Sequence, residues 1–111
     1  MSADKTLQPV ILYNGEGTEL APTLATTSQV PRVAATVSLA SANLERKGWI
    51  IHNDSPARLY VKLGSGASST DYSVKMHPRA TYELPFPTYL GEITGVWASA
   101  GAGFAAITEM T

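Results

Sequence analysis

Apolar and polar positions alternate in short runs along most of the chain, at a period of two and over lengths typical of strands. Leu59, Val61 and Leu63 fall on one side of their segment while Arg58, Tyr60 and Lys62 fall on the other, the pattern of a strand with one buried face. Val74 and Met76 alternate with Ser73 and Lys75, and Tyr82 and Leu84 with Thr81 and Glu83, as in antiparallel sheets that meet solvent on one side. The runs expected as strands are Val30–Leu39, Gly48–Asn53, Ala57–Leu63, Tyr72–His77, Ala80–Leu84, Gly91–Ser99 and Phe104–Glu109. Turn formers separate them, among them Gly64 to Ser69, His77-Pro78-Arg79, Pro85-Phe86-Pro87 and Gly101-Ala102-Gly103. The stretch from Gly48 to Ser68 reads as a hairpin whose turn is Asn53-Asp54-Ser55-Pro56. Ser41 to Gly48 has room for one or two helical turns closed by Gly48, or for a plain polar turn.

These elements predict an all-β protein, an antiparallel, jelly-roll-like β-sandwich of about seven or eight short strands. Its expected core is Trp49, Trp97, Ile51, Leu59, Val61, Leu63, Val74, Met76, Leu84, Ile93 and Ile107, with Ile50 competing with Trp49 for the inward position. Residues 1–29 break the pattern. They carry Pro9, Pro22, Gly15 and Gly17 and keep no sustained period, which reads as an extended N-terminal arm ahead of a domain over 30–111. The arm is too apolar to be left in water: Val10, Ile11, Leu12, Tyr13, Leu20 and Leu24 are its candidate protein interface, either as a strand added to the chain's own sheet or laid on a neighbouring chain.

Composition narrows the function classes. A length of 111 residues suits one domain. Charged residues make up 15% and the net charge is −1, so neither nucleic acid nor an anionic membrane surface is expected as a partner. The absence of Cys excludes disulfides and thiolate metal sites. The N-terminus lacks a basic start followed by an apolar core, and no apolar run reaches the roughly 20 residues that span a bilayer.

Candidate chemistry is thin. His52 and Asp54 lie two apart on a strand end and so share a face, a partial cation site, but the local sequence supplies no third ligand and His77 sits in a separate turn. An ordinary strand-end His is the favoured reading, with no metal and no cofactor. Gly64-Ser65-Gly66 lacks the Lys-Ser/Thr and the helix of a phosphate loop. Glu83, Glu92 and Glu109 read as a solvated surface, and no nucleophile stands beside a base, so the chain is not expected to be an enzyme. Tyr72, Tyr82, Tyr89 and the two Trp offer either a platform for sugar rings or, more in keeping with a sequence without paired-aromatic loops, core and subunit contacts.

Several landmarks together resemble a known group. They are Arg46-Lys47-Gly48, Asn53-Asp54-Ser55, Leu59-Tyr60-Val61-Lys62-Leu63-Gly64, Tyr82-Glu83-Leu84-Pro85, Tyr89-x-Gly91, Gly95-x-Trp97-Ala98-Ser99 and Thr108-Glu109. Over roughly residues 30 to 110 this series resembles small structural proteins of tailed-bacteriophage virions. The resemblance implies a head decoration or cement protein that bridges major capsid subunits. The alternative is a tail, baseplate or fibre accessory protein with host-surface glycan as a ligand. It also implies a partner in the major capsid protein or another virion protein, a homo-oligomer (trimer or dimer), and residence in a virion assembled in the host cytoplasm.

Overall fold

The computed structural model describes residues 21–111. Eight strands follow in chain order: β1 (Ala25–Pro31), β2 (Val37–Ala40), β3 (Gly48–Asp54), β4 (Leu59–Leu63), β5 (Val74–Met76), β6 (Thr81–Glu83), β7 (Ile93–Trp97) and β8 (Phe104–Met110). They form two four-stranded sheets, ordered β1-β8-β3-β6 and β2-β7-β4-β5, and every strand pair is antiparallel. β1 pairs with β8, β2 with β7, β3 with β6 and β4 with β5, as in one long ribbon folded in half. Rolling that ribbon adds the β3·β8 and β4·β7 ladders and closes it into two layers. This is the jelly-roll connectivity, and the expected all-β sandwich is the fold observed.

Alternation fills the space between the layers. Trp49, Ile51 and Asn53 of β3 point inward beside Ala105 and Ile107 of β8, and Leu59 and Val61 of β4 meet them with Ile93 and Trp97 of β7 and Met76 of β5. Trp49 is fully buried, so Ile50 takes the outward position. Full burial of side chains of this size contributes roughly 1.5–3 kcal/mol each before ordering costs. All the expected core residues lie in or against this cluster, with Leu63 and Val74 partly buried at its margin. Leu39, Ala57 and Ala105 join it as well.

Three expectations are corrected. The Gly48–Ser68 hairpin does not form, because β3 and β4 belong to opposite sheets and the Asp54–Arg58 link is a corner between layers. The run Val30–Leu39 is likewise split between β1 and β2, again across the two sheets. Arg32 ties that corner to the β7–β8 turn, donating to Ser99 O, Ser99 Oγ and Ala102 O at 2.8–2.9 Å. Finally, β1 begins at Ala25, so residues 25–29 of the expected arm are part of the sheet. Residues 41–47 form a turn without helix.

Candidate interaction surface

Several of the polar groups that look chemically capable are engaged in holding the fold. At one end of β3, Asn53 and Ser55 are completely buried. Asn53 Nδ2 donates to Ala57 O (2.7 Å) and His77 O (3.2 Å), and its Oδ1 accepts from Ser55 Oγ (2.8 Å) and Trp97 Nε1 (3.1 Å). The backbone joins in, with Asn53 N donating to Ala80 O and Arg79 N to Asn53 O. A residue expected as an ordinary turn former thus joins the inter-sheet corner, the β5–β6 turn and β7 into one satisfied network, as burial requires.

Just before the other end of β3 lies Arg46, whose side chain is 0% exposed. Its Nε donates to Glu109 Oε2 at 2.7 Å, one terminal nitrogen donates to Tyr89 O and Gly91 O, and the other to Ser41 O. Asn43 Nδ2 holds the second oxygen of Glu109. Glu109 is therefore a structural ion-pair partner, not part of a solvated surface. Nothing in the run Glu45-Arg46-Lys47-Gly48 marks Arg46 as buried, since such a run has the composition of a solvated turn.

The two tryptophans differ in the same respect. Trp97 Nε1 is bonded to Asn53, whereas buried Trp49 Nε1 has no hydrogen-bond partner among the described residues. An unmet buried donor costs free energy that a met one does not. Trp97→Phe should therefore destabilise by about 1–2 kcal/mol more than Trp49→Phe, read as the difference between their urea midpoints at a common slope. Equal losses would show that the Asn53 bond contributes nothing.

The expected cation site does not assemble. His52 and Asp54 share the outer face of β3, but His52 Nδ1 is 2.8 Å from Thr81 Oγ1 and Asp54 is paired with Arg79 at 2.6 Å. His77 meets neither through its ring; its carbonyl is used by Asn53. Among the described residues no group of three His, Asp or Glu stands ready for a metal ion. Nor do the aromatics assemble as a platform: Trp49 and Trp97 are buried, and Tyr82 and Tyr89 pack against the core. Tyr72 remains partly exposed, its ring centroid 5.1 Å from that of Tyr60.

The outer faces of the sheets differ. Over the β2-β7-β4-β5 sheet, the β4–β5 loop folds back: Ala67 is buried, its N–H donates to Thr94 Oγ1, Thr94 Oγ1 donates to Gly64 O, and Thr36 Oγ1 donates to Ala67 O. The outer face of the β1-β8-β3-β6 sheet is crossed by rows such as Thr27, Thr108, Ile50 and Gln29, Ala106, His52. From β1 to β3 it mixes small side chains such as Thr27, Ala106 and Thr108 with larger ones such as Gln29, Ile50 and His52, and its charged side chain is Asp54 at one corner. At the Arg46 end of the sandwich, three large apolar side chains are exposed: Leu24 (62%), Leu44 (82%) and Phe86 (69%). Bonds from Asn43 N to Leu90 O, Thr88 Oγ1 to Lys47 O, Lys47 N to Met110 O and Thr111 N to Leu24 O tie together the segments that carry them.

Of the candidate interface residues, Leu24 is thus exposed beside this end, while Val10, Ile11, Leu12, Tyr13 and Leu20 lie outside the described residues. No protein-family model, curated protein or solved structure gives a significant match to the chain.

Proposed function

We propose that this chain is a non-enzymatic structural protein of a tailed-phage virion, a head decoration or cement protein that bridges neighbouring major capsid subunits. The observation that carries this reading is the pairing of an internally bonded scaffold with a sheet face that, among the described residues, has no layer over it and that from β1 to β3 bears Asp54 as its charged side chain. Asp54, Asp71 and Glu109 are each taken by an ion pair, and the buried Asn, Ser and Arg serve the packing. A surface with few charges suits a contact made once and kept, where symmetry repeats a moderate area many times. The exposed Leu24, Leu44 and Phe86 at one end add apolar anchors of the kind that dominate binding energy when a partner encloses them. The landmarks over residues 30 to 110 that resemble virion proteins point the same way.

The test is made on particles. Virions assembled without this chain are expected to lose infectivity sooner on heating, chelation or transfer to low salt. Particles with unchanged composition and unchanged resistance would sink the proposal. Copy number separates the head reading from a tail accessory role, for which the Tyr60–Tyr72 pair is the remaining aromatic foothold. A cement protein is present in high copy number in purified particles, and a tail-tip protein in a handful.

A further inference from the structure

β1 is exposed at every position except Val30, held by β8 along one side and unpaired with any described residue along the other. Arg32 N donates to Gly103 O and Thr111 N to Leu24 O, so the even-numbered residues Leu24 to Arg32 turn their backbone groups toward β8. Ala25, Thr27 and Gln29 therefore turn theirs outward, to an edge without a partner among the described residues. Natural edges are blunted by charged side chains, Pro or bulges. Between Ala25 and Val30 this one has none of them, and Pro31 stands at its far end.

We propose that this edge pairs with the same edge of a second copy, antiparallel, about a two-fold axis through Thr27. The register follows from the sequence. With Thr27 opposite Thr27 of the second copy and Ala25 opposite its Gln29, every outward N–H from Ala25 to Gln29 finds a carbonyl, and Pro31, which has no N–H to give, falls outside the ladder. A strand without charge meets itself with no like charges opposed. The same register sets Leu24, 62% exposed, across from Val30 of the second copy on the inner side, and does so twice by symmetry. The axis stands perpendicular to the sheet, so the outer faces of both copies lie on the same side as one continuous surface. Such a dimer would form in the free protein, independently of the proposed virion role.

The experiment is sedimentation equilibrium of the full chain over a concentration series, with three variants. The wild type should move from monomer to dimer mass. Thr27→Lys places like charges across the axis at a solvent-exposed position, and should weaken association at least tenfold while leaving the melting temperature unchanged at concentrations where the wild type is monomeric. In this Cys-free chain, Thr27→Cys should form a disulfide-linked dimer under mild oxidant, because directly opposed strand residues lie within disulfide reach. Ser65→Cys, in the exposed β4–β5 loop, should stay monomeric under the same conditions. A wild-type mass that stays monomeric up to millimolar concentration overturns the proposal. So does association undiminished in Thr27→Lys, or cross-linking of Thr27→Cys no faster than that of Ser65→Cys. Slow hydrogen exchange at Thr27 and Gln29 in a monomeric chain would also overturn it, by showing that another segment of the same chain covers the edge.

Discussion

Replacing Gly103 with alanine is expected to lower the melting temperature by roughly 15–30 °C. Gly103 closes the turn into β8 with φ +116°, where a Cβ is strained, and that Cβ would stand 2.5 Å from Ser55 Cβ and 2.9 Å from Asp54 O and Ser55 Cα. The clash is with backbone and with a side chain already locked in the Asn53 network, so no flexible end can swing away. Overpacking of this kind and the unfavourable φ each contribute about 1–3 kcal/mol, and together about 3–5 kcal/mol. That is a large share of the roughly 5–15 kcal/mol that holds a typical domain folded. Gly66 provides the comparison: it too has a positive φ, +77°, but a Cβ there meets nothing within 4 Å. Gly66→Ala should cost only about 1–2 kcal/mol. Similar losses for the two substitutions, measured by thermal melts followed in the far ultraviolet, would mean that the corner can yield and is not the rigid joint described.

The second large effect is expected at Arg46. Truncation to alanine leaves Glu109 with Asn43 as its remaining side-chain partner and strips a donor from the carbonyls of Ser41, Tyr89 and Gly91. Breaking a buried ion pair by removing one partner costs about 3–5 kcal/mol, and Glu109, whose side chain is 28% exposed, places this case at the lower end of that range. Arg46→Lys keeps the charge but cannot reach acceptors on both sides with a planar fork, so it should lose about 2 kcal/mol. Combining Arg46→Met with Glu109→Leu removes the unpaired charge yet leaves the three carbonyls unmet. It should recover less than half of the alanine loss in urea denaturation. Complete recovery would assign the whole effect to the ion pair and none to the loops it holds.

On the proposed reading Arg46 would also matter for attachment, because its carbonyl acceptors lie in the β2–β3 and β6–β7 loops that carry Leu44 and Phe86. A surface that binds through loop tips needs those tips held before the partner arrives, since ordering them on contact subtracts from affinity. An Arg46 variant that remains folded at low temperature should accordingly attach more weakly than its stability loss alone explains.

From the sequence alone, the in-or-out assignment of most strand residues could be read. Leu59 and Val61, Met76, and the inward Ile93 and Ile107 were legible because side chains alternate across a pleated strand, although Tyr60 and Thr94, which the alternation sets on the solvent side, are buried as well. The turn residues likewise marked where strands stop, through Pro without an N–H and Gly free to take a positive φ. Which strand lies beside which was not legible. Backbone hydrogen bonds pair any two extended segments alike, and in this fold β1 finds β8 and β2 finds β7 across nearly the whole domain. For the same reason Gly48 to Ser68 looked like a hairpin: nothing local distinguishes a turn that returns along its own sheet from one that steps to the facing layer. That distinction rests on Asn53 and Ser55, whose polar side chains are tolerable inside only because Ala57, His77 and Trp97 come to meet them. Arg46 was hidden by the same logic, since a guanidinium is buried only where carbonyls from several loops converge on it, and only tertiary structure brings such a group of acceptors together.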